Sequence, residues 1–376
     1  MREHIALLGE TLAAAQPGEF PAAEASLQAV LTHRFHTVCV WHHWLAALIE
    51  AHLAELSGQR LRALAALKRA FEIGRANGYD FGPMPYCCGD MMPALALLAL
   101  DHGIDPPFAQ ALVRRHALPA PAGAGERWPW PVRIRTLGRF AIERDAASQA
   151  PSRKESRKPL DLLKLLIALG GTAVPVARLC AALWPEAAGD AARNSFDNAL
   201  HRLRKLLGND ALIALRAGGA SLDASRCWTD LAALETCFDE IQRLAPDAGA
   251  AQLASLVERS LALCPGDFLP GDDELPDVLV ARSRIQARFT RQMAVLGDRL
   301  DASDQHAAAV RLYQRVVELQ PLAEYIYRRL IAGLIALGQR AEAYEAYRRC
   351  RQQLSVVLGI RPAAETDALV ASLRDL

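Results

Sequence analysis

Residues 157–208 read RKPLDLLKLLIALGGTAVPVARLCAALWPEAAGDAARNSFDNALHRLRKLLG. Apolar residues recur at helical spacing in three runs, which predicts helices from Pro159 to Leu169, from Val176 to Leu183 and from Ala191 to Leu207. Proline stands at the start of the first two, and glycine follows the ends of the first and third. The stretch therefore predicts a three-helix unit.

The third of these helices has two chemically different faces. At about 100° per residue, one side carries a predicted buried stripe of Phe196, Ala199, Leu200, Leu203 and Leu207. The opposite side carries Asn194, Asn198, His201 and Lys205, with Arg193 and Arg202 at its margins. Amides can pair bidentately with adenine edges, and cations can bind guanine or phosphates. Because an ordinary solvated helix face is also polar, the choice depends on the neighbouring elements.

Hairpins are predicted on both sides of the three helices. Residues 132–137 alternate with period two, Gly138 turns the chain, and the apolar pattern continues to Ile142. Residues 211–223 form a second hairpin around Gly218-Gly219, with Arg216 beside the turn. A hairpin in this position favours a wing that reaches the adjacent groove or backbone of DNA, so we interpret the polar helix face as a DNA reader.

The charge distribution supports this interpretation. The formal net charge of the 376 residues is +1. Residues 1–130 carry 10 basic and 12 acidic residues, residues 131–230 carry 16 and 10, and residues 231–376 carry 17 and 20, which gives −2, +6 and −3. A basic module between mildly acidic ones is typical of a polyanion-binding unit.

Helical regions flank the basic module. The first 118 residues predict antiparallel helix pairs, and residues 119–131 (PAPAGAGERWPWP) predict a linker with two tryptophans able to dock against a neighbour. Near the other end, His306–Pro321 aligns with Arg340–Ser355 at a spacing of 34 residues, the tetratricopeptide period. The predicted fold class is mostly α, with tetratricopeptide-like repeat regions on both sides of an α+β winged helix-turn-helix domain.

Several of these strings resemble a known family. VRIRTLGRFAIERD, residues 157–208 and CWTDLAALE resemble the winged-helix domain of the SARP group of bacterial activators. The following part, from LALCPGDFLPGDDE to GQRAEAYEAYRRCRQQLSVVLGIRP, looks like the bacterial transcriptional activation domain that accompanies it. The expected domains are a helical-repeat region (1–118), a linker (119–131), a winged helix-turn-helix domain (132–226) and an activation domain (227–376).

The resemblance implies a sequence-specific activator that binds double-stranded DNA as a dimer or tandem pair on promoter repeats and recruits RNA polymerase. The residues that it implies for base reading are Asn194, Asn198, His201 and Lys205. The backbone-contact candidates are Arg153, Lys154, Arg157, Lys158, Arg193, Arg202, Arg204 and Arg216. For Arg204 the alternative is a role in supporting the fold, and for the charge run 151–158 it is a solvated loop. Glu186, in the loop that follows Trp184, is the candidate polymerase contact, whereas Trp184 itself is expected to be a core anchor.

The first 118 residues resemble, more weakly, the end of the helical-repeat region of large ATP-dependent activators. The chain has no G-x-x-x-x-G-K-[ST] motif, so we expect no nucleotide and no other cofactor. Two interpretations stay open: a short regulator whose helical cap binds a protein or ligand partner, or the last part of a larger regulator.

Two other function classes compete with a DNA-binding regulator. An enzyme is disfavoured because no catalytic motif and no C-x-x-C pair occurs, although Cys87-Cys88 leaves a redox or soft-metal sensor open. A helical-repeat scaffold without specific DNA binding is the stronger alternative, but it gives no reason for the polar stripe of the third helix. No apolar run reaches the length of a membrane span, which predicts a cytoplasmic protein with no membrane partner.

Overall fold

The structure is a computed structural model and describes residues 20–32, 39–80, 90–144, 147–148, 157–187, 189–245 and 247–371. The chain divides into two compact units, formed by residues 1–131 with 224–226 and by residues 132–223 with 227–376. It is mostly helical, and within the described residues strands occur only between positions 132 and 229. This agrees with the predicted predominance of helices around a small sheet region.

The first unit contains five described helices. They are α1 (Phe20–Thr32), α2 (Val40–Leu56), α3 (Arg60–Asn77), α4 (Met91–Asp101) and α5 (Pro106–Arg115). Helices α2 and α3 pack against each other across a short turn, and Gly78 ends α3 with a left-handed φ of 67°. Arg62 pairs with Glu24 at 2.8 Å and with Glu50 at 3.1 Å, which ties α3 to α1 and α2. The assignment of this region to tetratricopeptide-like repeats stays a prediction.

The proline-rich segment 119–131 has no regular secondary structure but is held in place. Trp128 and Trp130 are both buried, and Trp130 donates from Nε1 to the Gly125 carbonyl at 3.0 Å. The Ala120 amide donates to the Ser225 carbonyl at 2.7 Å, which draws residues 224–226 into the first unit. Its role as an interdomain linker stays a prediction.

A four-stranded sheet begins the second unit. Its strands are β1 (Val132–Arg135), β2 (Ala141–Arg144), β3 (Ala147–Ser148) and β7 (Cys227–Thr229), in the order β3-β2-β1-β7. Strands β1 and β2 form the predicted antiparallel hairpin, with Val132 opposite Arg144. Strand β7 was not predicted and pairs in parallel with β1, with Val132 opposite Cys227. The start of the second helical region is therefore joined to the first hairpin by one sheet.

Three helices and a second hairpin follow. They are α6 (Arg157–Ala168), α7 (Val176–Leu183), α8 (Gly189–Leu207), β5 (Ile213–Arg216) and β6 (Gly219–Leu222), with the short β4 (Val174–Pro175) completing a sheet of order β4-β6-β5. The order of hairpin, three helices and hairpin is the predicted one. The second turn lies at Ala217-Gly218, one residue earlier than expected, and both residues have positive φ, 49° and 77°. Such turns match the twist of the paired strands.

Helices continue to the end of the described chain. They are α9 (Asp230–Gln242), α10 (Ala250–Leu263), α11 (Pro276–Ala302), α12 (His306–Leu319), α13 (Glu324–Ala336), α14 (Arg340–Leu358) and the unpredicted α15 (Ala364–Ala371). Successive helices from α11 to α14 pack against one another. At the crossing of α11 and α12, a Cβ on Gly297 would overlap the Tyr313 ring, so only glycine allows this close approach.

A buried carboxylate joins β1 to α9. Asp230, the first residue of α9, is 2% exposed and accepts hydrogen bonds from the Thr136 and Leu137 amides at 2.7 to 2.9 Å and from the Thr136 hydroxyl at 2.7 Å. Burial raises the pKa of Asp230, and these hydrogen bonds oppose the shift because they stabilise the charged form. The sheet that begins the second unit and the helices that follow it are therefore joined by the hydrogen bonds of Asp230.

Candidate nucleic-acid interface

The two faces of α8 are separated as the helical wheel predicts. Its buried side chains are Ala192, Phe196, Ala199, Leu200, Leu203 and Leu207. Leu203 and Phe196 are fully buried at 0% exposure, in the same hydrophobic core as α6 and α7. One face of α8 is therefore fixed by packing, which determines where its other face points.

The polar stripe of α8 lies in solvent. Its four members, Asn194, Asn198, His201 and Lys205, are all exposed. They repeat every three or four residues along a helix of 19 residues, so they form one continuous row. The structure brings together on one surface all four residues predicted to read bases.

The arginines beside this stripe differ in their contacts. Arg202 is exposed. Arg193 is exposed too, but its Nε lies 3.1 Å from Asp197 Oδ2 and its guanidinium lies over the Phe196 ring at 5.5 Å. Arg204 is half-buried and donates from Nη2 to the Ile213 carbonyl at 2.6 Å. Arg204 thus holds the first strand of the second hairpin against α8, which favours the alternative role of supporting the fold.

The wing candidate Arg216 is exposed at the end of β5, directly before the Ala217-Gly218 turn. The hairpin that carries it is tied to α8 through Arg204, as described above. Strand β6 pairs with both β5 and β4, and the Val176 amide at the start of α7 donates to the Gly218 carbonyl at 2.9 Å. The turn is therefore held at a defined position relative to α7 and α8.

The charge run before α6 is only partly described. Arg153 and Lys154 lie outside the described residues. Lys158 is exposed, but its Nζ donates to the Leu183 carbonyl at 2.8 Å and lies 5.9 Å from the centre of the Trp184 ring. Because Leu183 ends α7, Lys158 caps a helix C-terminus. This contact gives it a structural partner that the sequence did not indicate.

Arg157 also has a partner that is distant in sequence. Its Nη2 lies 2.5 Å from Glu274 Oε2, and its Nε lies 3.8 Å from Asp161 Oδ2. Lys164 Nζ lies 2.6 Å from Asp272 Oδ1, with both side chains largely buried. Arg178 Nη2 lies 2.9 Å from Asp277 Oδ1. The loop and helix start around residues 272–277 therefore neutralise several cations of α6 and α7.

Two other cations cap helices in this part of the chain. Arg144, on β2, donates to the Leu206 carbonyl near the end of α8 at 2.8 Å. Arg284, on α11, donates to the Ala168 carbonyl at the end of α6 at 3.2 Å. With Lys158 on α7, all three helix ends receive a positive charge, which suits the carbonyls left unpaired at a helix C-terminus.

The loop between α7 and α8 carries the candidate polymerase contact. Glu186 is exposed, and Trp184 is half-buried against the hydrophobic core, in agreement with its predicted role as an anchor. The loop also borders a groove of about 500 Å³ lined by Ala177, Cys180, Trp184 and Arg193, among other residues.

The residues that the structure describes offer neither a metal site nor a membrane-spanning helix. Within the described ranges, no three His, Cys, Asp or Glu side chains are grouped so that they could hold a metal ion. Cys87 and Cys88 lie outside the described ranges. None of the helices that the structure describes combines the length and apolar character needed to cross a membrane.

Comparisons with known proteins relate this chain to bacterial regulators of transcription. Residues 229–374 match the family described as bacterial transcriptional activator domain. The chain is 27% identical over 207 residues to the regulatory protein AfsR of Streptomyces griseus and 26% identical over 252 residues to the regulatory protein DnrI of Streptomyces peucetius. The chain is thus similar, over a little more than half of its length, to bacterial regulatory proteins. The transcriptional regulator RedD of Streptomyces coelicolor is likewise 27% identical to this chain over 241 residues.

The extent of these matches differs between relatives. The AfsR match covers 54% of this chain but only 21% of AfsR, so the chain spans about a fifth of that protein. The matches to DnrI and RedD cover 63% and 62% of this chain and 90% and 67% of theirs. A solved structure of Mycobacterium tuberculosis EmbR, in complex with a low-affinity phosphopeptide, aligns over 65% of both chains at 21% identity with a TM-score of 0.49. The named relatives are regulatory proteins rather than enzymes.

Proposed function

We propose that this chain is a sequence-specific DNA-binding activator of transcription in which α8 enters the major groove and the β5-β6 hairpin acts as a wing. The supporting observation is the division of α8 into a buried apolar face and an exposed row of Asn194, Asn198, His201 and Lys205. In this proposal residues 132–226 form a winged helix-turn-helix domain.

The chemistry of the exposed row suits base edges. An asparagine amide offers one donor and one acceptor to adenine N7 and N6, and a lysine offers donors to guanine O6 and N7. His201 adds a ring nitrogen that can donate or accept. Because the row lies on one α-helix, its members advance by about 5 Å per turn, which would let them contact successive base pairs.

The phosphate contacts in this proposal come from exposed cations around the row. Arg202 flanks it on α8, and Arg216 stands at the tip of the wing. Arg157, Lys158 and Arg193 contribute less in this scheme, because each already has a contact inside the protein. Arg204 supports the wing rather than the DNA.

Activation and assembly extend the proposal. Residues 229–374 would contact RNA polymerase or a second copy on adjacent promoter repeats, with Glu186 as a further polymerase contact. The tetratricopeptide-like repeats predicted on both sides of the winged helix would serve as protein- or ligand-binding surfaces. A role on chromosomal DNA also implies that the protein acts in the cytoplasm.

The experiment measures binding of the full chain to DNA from upstream of its own gene and to shuffled DNA, by fluorescence anisotropy. Asn198→Ala and His201→Ala are each expected to reduce the difference in binding free energy between specific and shuffled DNA by about 1 to 3 kcal/mol for each lost base contact. Gln252→Ala, which removes an exposed amide on α10, serves as the matched control and is expected to leave the ratio unchanged. Unchanged specificity in both α8 variants, with normal folding, would exclude α8 as the reader.

A further inference from the structure

The acidic segment, residues 272–277, forms ion pairs of two kinds with α6 and α7. The side chains of Lys164 and Asp272 are only 13% and 14% exposed, so water is largely excluded from that pair. Those of Arg178 and Asp277 are 58% and 27% exposed. An exposed ion pair contributes little to stability, because solvent screens the charges and the side chains lose freedom. Arg178 can therefore change its partner at little cost, whereas Lys164 cannot.

Arg157 is held by the same segment. Its Nη2 lies 2.5 Å from Glu274 Oε2, and both side chains are exposed. Glu274 precedes Asp277 by three positions, so one short segment neutralises cations of two helices. A guanidinium can bind a phosphate in the same bidentate geometry that it uses for a carboxylate. A phosphate can thus replace either carboxylate as the partner of its arginine.

Arg178 stands where DNA would meet the protein in the proposed function. It is the third residue of α7, and the Val176 amide that begins this helix donates to the Gly218 carbonyl in the turn of the β5-β6 hairpin at 2.9 Å. Arg216, a proposed phosphate contact, lies directly before that turn. In helix-turn-helix proteins the helix that precedes the reading helix crosses the DNA backbone. A duplex that contacts α8 and the hairpin would therefore bring a phosphate within reach of Arg178.

We propose that Glu274 and Asp277 compete with DNA phosphates for the arginines that they hold, so that the acidic segment lowers the affinity for DNA. In the free protein each guanidinium pairs with its carboxylate, and in the complex it pairs with a phosphate. This adds Arg178 to the residues that contact the DNA backbone. The inference rests on the proposed function, because it requires α8 and the β5-β6 hairpin to face DNA.

The test measures the affinity of the full chain for specific and for shuffled duplex DNA by fluorescence anisotropy, from about 50 to 200 mM salt. Asp277→Asn is expected to raise the affinity about 2- to 5-fold, the effect of removing one exposed ion pair that competes with DNA. The gain should be equal on both duplexes, because phosphate contacts carry no sequence information. Arg178→Ala is expected to lower the affinity and to reduce the magnitude of the salt slope by about 0.9.

Two comparisons separate competition from a general repulsion of DNA by negative charge. In an Arg178→Ala background, Asp277→Asn should give almost no gain, because the contested cation is absent. Asp273→Asn removes the same charge from the same segment, but its partner Arg282 is also held by two backbone carbonyls at 2.8 and 2.5 Å. This matched control should leave the affinity nearly unchanged.

Three results would overturn the inference: no rise in affinity for Asp277→Asn, an equal rise for Asp273→Asn, or a gain that persists without Arg178. Each of them leaves DNA binding by the wild type intact, so the proposed function would stand. A wild type that binds neither duplex, or binds both independently of salt, would contradict the proposed function and this inference together.

Discussion

Two groups of cations in the basic part of the chain, residues 131–230, contrast sharply. One group has contacts inside the protein: Arg144 and Lys158 cap helix C-termini, and Lys164 pairs with Asp272. Arg202 and Lys205, on the outer face of α8, are exposed. Each of these five cations contributes one positive charge to the net charge of +6. In the proposed function, the partners of a cation, rather than its presence in a basic segment, decide whether it can contact a DNA phosphate.

The largest effect is expected at Asp230, a buried charged group whose partners, like those of Arg144 and Lys158, lie inside the protein. Asp230→Ala would leave the buried Thr136 and Leu137 amides and the Thr136 hydroxyl without an acceptor. We expect a loss of about 3 kcal/mol or more in the free energy of unfolding, measured by urea denaturation. Asp190→Ala removes an exposed aspartate from the first turn of α8 and is expected to cost less than about 1 kcal/mol. Similar losses for the two variants would contradict this role of Asp230.

The division of α8 into two faces gives the next prediction. Leu203→Ala is expected to cost about 2 to 5 kcal/mol, because Leu203 is fully buried and its truncation leaves a cavity. Lys205→Ala, two residues away on the exposed face, should change the thermal midpoint little. If the midpoint of Leu203→Ala equals that of the wild type, the assignment of the buried face is wrong.

Local features of the fold were predictable from the sequence. The bounds of α7 agree with the predicted 176–183, because helical periodicity and flanking proline residues are signals within a few residues of each other. The buried and exposed faces of α8 follow from the same periodicity. These features include all four predicted base-reading residues.

Features that depend on distant partners were not predictable. Strand β7 is three residues long and pairs with β1 across more than 90 positions, so no local alternation indicates it. Lys164 and Asp272 are 108 positions apart, and the residues around each of them do not identify the other as its partner. The acidic run GDDE at 271–274 was the one available signal, since a cluster of carboxylates in a loop beside a basic module can neutralise it. Which cations it would meet depended on the tertiary fold.

We propose that exposed cations such as Arg202, rather than internally paired ones such as Lys164, contact DNA phosphates. The salt dependence of DNA affinity tests this directly, measured for the wild type, Arg202→Ala and Lys164→Ala from about 50 to 200 mM salt. Each cation that contacts a phosphate contributes about 0.9 to the slope of log affinity against log salt concentration. We expect Arg202→Ala to lower the magnitude of the slope by about 0.9, the contribution of one phosphate contact. Lys164→Ala should leave the slope unchanged, because Lys164 is paired with Asp272. The opposite result, a wild-type slope for Arg202→Ala and a reduced one for Lys164→Ala, would contradict the account.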